Sequence, residues 1–238
     1  MAGWTDALRE RLKDGLYSLQ NRVGRHDYYY LLFARRFPFN RMGVSPETGI
    51  VIEGFPRSAN SYAVVAFKLV NPDVPIGHHL HVPIQLIRAV RFHIPAILVL
   101  RAPEEAVASF MVFQGSYNAD VYIREYIRFH TSLLPYKDHI LVASFETITG
   151  DMNTVIDALN QRFGTRFKIL DDPEKQEETI FHKLQEVNAR FFGKAAHKSM
   201  YPDASRNAQK ALAQRKVLQS PFLVEARNLY SLLNKDAV

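Results

Sequence analysis

The chain has 238 residues, 47% hydrophobic and 23% charged, with 11 Gly and 12 Pro. That fits a globular protein able to bury a substantial core and excludes disordered, collagen-like and coiled-coil classes. No cysteine is present, which removes disulfide frameworks, thiolate metal sites and cysteine nucleophiles, and the formal charge of +6 points to an anionic partner: nucleic acid, an acidic membrane surface or a small polyanionic cofactor.

Trp4, Leu8, Leu12, Leu16, Leu19 and Val23 recur at helical spacing among charged residues. They predict an N-terminal amphipathic helix whose apolar stripe is expected to bury against the domain or a second subunit, with a membrane surface as the alternative. Residues 27–36, stopped by Pro38, predict a second short helix. From residue 49 short apolar runs at 50–55, 96–100 and 140–144 predict strands. Between and after them, 58–70, 103–113, 120–134 and 152–163 predict helices, the last closed by Gly164. Strands apolar on both faces, alternating with helices, imply an α/β fold with a mostly parallel sheet flanked by helices. After Asp171 only helical patterns follow, near 172–192, 206–216 and 220–234.

No linker or internal repeat divides the chain. The expectation is one domain over 1–238, with an N-terminal helical segment 1–46, an α/β core 47–170 and a helical C-terminal part 171–238. No run approaches the roughly 18 apolar residues of a membrane span, and no signal-peptide pattern opens the chain, so a soluble, cytoplasmic protein is expected.

The most informative stretch is Gly54-Phe-Pro-Arg-Ser-Ala-Asn-Ser-Tyr62, which joins a buried strand to a helix with small, hydroxylic first residues. Unpaired N–H groups and the positive helix end suit such a junction to phosphate. It approaches the phosphate-loop pattern, but Ala59 and Asn60 stand where the second glycine and the lysine belong, and the 96–100 strand ends in Arg101 rather than a magnesium-binding aspartate. Arg101, at a strand's carboxyl end, can grip a phosphate bidentately while Ser109 adds a neutral donor. The competing reading pairs Arg101 with Glu104 or Glu105.

These pieces resemble the sulfotransferases that use 3′-phosphoadenosine-5′-phosphosulfate (PAPS). The family's 5′-phosphosulfate motif, YPKSGTTW, is similar to Phe55-Pro-Arg-Ser-Ala-Asn-Ser-Tyr62, and its 3′-phosphate motif, RNPxDxxxSY, is similar to Arg101-Ala-Pro-Glu-Glu-Ala-Val-Ala-Ser-Phe110. A later segment of the YEDL type resembles 141–164, and Gly77-His-His-Leu-His-Val-Pro83 lies where the family often has a histidine base. The match covers roughly 48–165. Arg57 replaces the usual lysine, Ala59 the glycine, Asn60 and Ser61 the threonines, and Tyr62 the tryptophan that contacts adenine.

The resemblance implies PAPS as sulfuryl donor, adenosine 3′,5′-bisphosphate as product, no metal, and in-line transfer to a hydroxyl or amine. It assigns Arg57, Ser58, Ala59, Asn60, Ser61 and Tyr62 to the 5′ end of the nucleotide and Arg101 with Ser109 to the 3′-phosphate. Arg206, or Lys198, is expected to add a second basic group there. His79 aligns best with the base; His81 is the rival, since an extended segment puts both on one side. Their H-x-H spacing also suits zinc, but no carboxylate follows at a recognisable spacing. Residues 114–130 and 171–205, with aromatics such as Phe113, Tyr117, Tyr122 and Tyr126, are the expected acceptor-binding segments, for a small-molecule, glycan or lipid acceptor. The alternatives are a nucleotide kinase or other phosphate-loop enzyme with a degenerate loop, and a non-enzymatic anion or nucleic-acid binder. Scattered basic residues and no aromatic platform make nucleic acid an unexpected partner.

Overall fold

Four parallel strands, β1 (Ile50–Gly54), β2 (Ile76–His78), β3 (Ala96–Leu100) and β4 (Leu141–Ser144), form one sheet in the order β2-β1-β3-β4. The structure, a computed structural model, describes residues 2–29, 42–171, 173–192 and 207–238. The α/β class is as the sequence implies. Pairing runs Ile50 with Ile76, Val51 with Ala96 and Ile97 with Leu141.

Because side chains alternate across a strand, one core forms on each face. Val51, Leu98, Leu100 and Val142 point into the first, where α4 (Pro103–Gln114), α5 (Ala119–Thr131), α9 (Asn207–Leu218) and α10 (Leu223–Asn234) contribute. Ile50, Ile52, Ile97, Val99, Leu141 and Ala143 point into the second, against α2 (Asn60–Val70), α6 (Phe145–Gly150), α7 (Met152–Phe163) and α8 (Pro173–Phe192). Thus α2 leaves β1 toward one face and α4 leaves β3 toward the other. The carboxyl ends of these adjacent strands bound the crevice where open parallel sheets take ligands.

Several elements differ from the sequence reading, among them the short helix α6, which falls between the predicted 140–144 strand and 152–163 helix. β2 overlaps the start of the histidine segment 77–83, and α3 (Pro83–Arg91) follows it where no element is predicted. A three-residue strand of Ile, Gly and His carries no periodic signal, and Pro83 opens α3 as its first residue. The 58–70 helix begins two residues late, at Asn60, because Ala59 is left-handed.

The N-terminal helix α1 (Ala2–Val23) forms, but among its described side chains it turns Asp14, Tyr17, Ser18 and Asn21 to the domain rather than the leucines, with Val23 at its end packed on the core. Leu12, Leu16 and Leu19 are 60%, 66% and 57% exposed, whereas Asp14 and Asn21 are buried. Asp14 accepts the Tyr122 hydroxyl at 2.7 Å and the Ser116 hydroxyl at 3.4 Å, and Ser18 donates to Glu125 at 2.8 Å. These buried polar pairs fix the helix's rotation against what the leucine pattern alone suggests. The predicted helix at 27–36 falls largely outside the described residues. No described helix is long and apolar enough to cross a membrane.

Candidate functional site

The loops after β1 and β3 meet in the crevice between these strands. After Gly54 the chain turns through Phe55 to Ala59 and enters α2 with no side chain capping its first-turn N–H groups; α4 begins at Pro103 likewise uncapped. The positive ends of two helices therefore flank one crevice, but α4 offers few free amides: Pro103 has no N–H and the Glu105 N–H bonds the Ala102 carbonyl at 3.1 Å. Arg57 Nε donates to Ser109 Oγ at 3.2 Å, and Arg101 Nη1 donates to the Arg57 carbonyl at 2.9 Å. The Arg57 guanidinium lies 5.3 Å from the centre of the Phe113 ring, and that of Arg101 lies 3.9 Å from the centre of Phe145. Arg57, Arg101 and Ser109 are thus brought together.

Arg101 also pairs with Glu105 at 3.3 Å, the contact that the competing sequence reading expects. Glu105 accepts from Lys210 Nζ at 2.6 Å and from Gln214 on α9. One carboxylate therefore gathers two cations, Arg101 and Lys210, at the mouth of the crevice. Nothing in the sequence links residue 105 to residue 210; only the packing of α9 on α4 does. Arg206 and Lys198 lie outside the described residues.

The remaining loop residues divide. Ser58 and Asn60 are buried, with Ser58 Oγ and Asn60 Oδ1 lacking any hydrogen-bond partner, while Asn60 Nδ2 donates to the Phe55 carbonyl at 3.1 Å. Asn60 thereby splints the loop. Ser61 Oγ lies 2.9 Å from His79 Nε2. Tyr62 is half-buried and packs edge-on against Phe181 of α8, with ring centres 6.1 Å apart.

His79 and His81 are not extended: their φ angles are +56° and +52°. Arg57 and Ala59 are also left-handed, at +71° and +76°. Among the described residues five non-glycine positions have positive φ, and four of them sit in these two facing loops. Such strain costs on the order of 1–3 kcal/mol per residue and concentrates at functional sites.

What holds the histidine loop is Glu53, a buried acid at the end of β1 that the strand pattern conceals. Its carboxyl accepts N–H groups from Leu80 at 2.8 Å, His81 at 3.1 Å and Gly54 at 3.1 Å. Burial nevertheless pushes it up to about 8, against the pull of those three bonds. A lone acid within a strand buried on both faces is the signal that would have found it. His81 Nδ1 lies 2.9 Å from the Gly54 carbonyl, which can only accept, so Nδ1 carries the proton and Nε2 is the unprotonated nitrogen. Desolvation, with a smaller push from Arg57, lowers His81 to about 4 against the opposing Gly54 bond. His79 is held well below the ordinary histidine value by desolvation and then by His78 and His81. Its Nδ1 lies 2.6 Å from His78 Nδ1, so one of the two donates. All three rings are neutral at pH 7.

Two expected acceptor-pocket aromatics belong to the core instead. Tyr122 and Tyr126 are fully buried on α5, Tyr122 bound to Asp14 and Tyr126 donating to the Arg101 carbonyl at 2.8 Å. The 114–130 segment is mostly a core helix, and Tyr126 braces the Arg101 loop from beneath. A surface pocket lined by Leu69, Val70, Lys168, Ile169, Asp171 and Thr179 opens at the far end of α2 and shares no residue with the crevice. Among the described residues no three His, Asp or Glu side chains form a metal ligand set. Comparisons with family models, with curated proteins and with solved structures give no match.

Proposed function

We propose that this chain is a sulfotransferase that moves the sulfuryl group of PAPS to a hydroxyl or amine acceptor. The observation that carries the reading is the interlock of Arg57 with Ser109 and Arg101, which joins the two segments resembling the family's 5′-phosphosulfate and 3′-phosphate motifs at one crevice. The uncapped start of α2 at Asn60 offers N–H donors, and the positive ends of α2 and α4 suit anionic oxygens.

In this reading Arg57 and the backbone of 58–62 bind the phosphosulfate, while Arg101 and Ser109 bind the 3′-phosphate with Lys210 as the second cation. Arg57 stays protonated and neutralises charge developing on the leaving phosphate, as in phosphoryl transfer. The acceptor oxygen or nitrogen attacks sulfur as the bond from sulfur to the 5′-phosphate oxygen breaks, and the acceptor's proton passes to a neutral histidine. His79, beside Ser61 in the first turn of α2, takes that role; His81, tied to Gly54, positions the loop.

Thermal melting with adenosine 3′,5′-bisphosphate, AMP and ATP with magnesium tests the proposal. The bisphosphate is expected to stabilise the protein well above AMP. Equal shifts for bisphosphate and AMP overturn the reading, and preferential stabilisation by ATP with magnesium favours a kinase.

A further inference from the structure

Outside the crevice, the feature that the fold leaves unexplained is the outward leucine stripe of α1. We infer that this stripe is a docking surface for an anionic lipid membrane, with the helix lying in the plane of the interface.

Three observations carry this. First, Leu12, Leu16 and Leu19 form one continuous apolar row, all more than half exposed, and in the sequence the same spacing runs back through Leu8 and Trp4. Second, the row is presented by a fixed helix rather than a loose one. Asp14 and Ser18 bond to groups beneath α1, the Gly24 carbonyl accepts from Ile84 N at 3.0 Å, and Asp27 pairs with Arg88 at 2.9 Å and Arg91 at 2.7 Å. A side chain at Gly24 would meet Val82 at 2.4 Å, so the helix end is seated tightly on α3's start. Burying the leucines by rotating α1 would expose Tyr122's partner Asp14 and strand the Tyr122 hydroxyl.

Third, charge selects the occupant. At about 100° per residue, Lys13 and Arg22 fall on opposite flanks of the stripe, both exposed, and exposed Arg25 follows the helix. Asp14, the one acid in the part of α1 whose side chains are described, is buried on the opposite face. An apolar row bordered by cations, on a helix too charged to span, matches an interfacial helix on anionic lipid. Among the described side chains, two copies packed stripe to stripe would bring Lys13 and Arg22 against each other's cations with no acid between them, which disfavours a self-association surface.

Sedimentation of the full chain with lipid vesicles tests this independently of the nucleotide reading. The protein is expected to bind vesicles rich in phosphatidylserine, to ignore pure phosphatidylcholine, and to release in high salt. Replacing Leu12, Leu16 and Leu19 together by Ser is expected to weaken binding at least about tenfold, and Lys13→Glu with Arg22→Glu to do likewise. Since all five side chains are exposed, melting curves should match the parent and certify folding. Absence of binding by the parent, or equal binding by the triple serine variant, overturns the proposal. A dimer in light scattering that the serine changes abolish, without vesicle binding, also overturns it and assigns the stripe to a second copy.

Discussion

Arg57 Nε donates to Ser109 Oγ at 3.2 Å while the Arg57 carbonyl accepts from Arg101. Two loops 44 and 52 residues apart in sequence therefore brace one another directly. β1 and β3 are adjacent and their helices depart to opposite faces, so the contact lies at the carboxyl ends of these two strands, in the crevice where open parallel sheets take ligands.

Removing the hydroxyl tests this brace. Ser109→Ala should weaken binding of adenosine 3′,5′-bisphosphate by about tenfold, the loss of one hydrogen bond to a charged group, and should weaken AMP binding less. Arg101→Ala should erase most of the discrimination between the two. Calorimetric titration of both nucleotides measures it, and an unchanged bisphosphate affinity in Ser109→Ala would remove Ser109 from the site.

Ala59 occupies a left-handed conformation, φ +76° and ψ +19°, where the resembling motif has glycine. A β-carbon there costs about 1–2 kcal/mol, partly offset by the greater freedom glycine gives the unfolded chain. Ala59→Gly should therefore stabilise the protein by roughly 0.5–1 kcal/mol in chemical denaturation. A destabilised variant would mean that the methyl group contributes packing that exceeds the strain.

The parallel sheet, the paired loops and most helices were legible because they rest on local patterns: apolar runs of strand length, helical periodicity, and a glycine or proline at element ends. Residues that act through tertiary contact were not. Glu53 is hidden in an otherwise apolar strand, and Lys210 reaches Glu105 only because α9 packs on α4. The leucine stripe of α1 misled in a specific way. Periodicity identifies an amphipathic face but carries no information on which side meets the domain, and here the Asp14–Tyr122 and Ser18–Glu125 bonds decide.

His79 and His81 separate by their partners. His79 Nε2 faces Ser61 at the start of α2, while His81 is bound to the Gly54 carbonyl and its own N–H is held by Glu53. With an identified acceptor and saturating donor, His79→Ala should lower kcat on the order of 10²–10⁴-fold with nucleotide affinity nearly unchanged, and His81→Ala should be milder. An undiminished kcat in His79→Ala moves the proton acceptor to His81.

His130 gives a stability test away from the crevice. It is buried among Phe55, Tyr126 and Phe129, its Nδ1 bonds the Tyr126 carbonyl at 2.8 Å, its Nε2 has no partner, and burial lowers it to about 4. As pH falls below 6.5 the unfolded chain takes up a proton that the folded state refuses until about 4, so stability is lost across that window. His130→Phe removes this loss and the orphaned nitrogen. Its advantage over the parent in thermal melts should grow from pH 6.5 to 4; parallel profiles would show that His130 is not held neutral.

Glu53 titrates with the opposite consequence. Its carboxyl, normally near 4.5, is raised to about 8 by burial under the two loops. Between those values the unfolded chain releases a proton that the folded state retains, so this group's contribution to stability declines as pH rises from 4.5 to 8. Glu53→Gln abolishes that slope and keeps an oxygen for the Leu80 and His81 N–H groups. The melting temperature of the variant minus that of the parent should therefore increase steadily from pH 5 to pH 8. Histidines depressed in both proteins cancel in this difference, which isolates residue 53. A flat difference across that range would mean that the three backbone N–H bonds outweigh burial and keep Glu53 ionised, in which case Glu53→Gln should be uniformly destabilising.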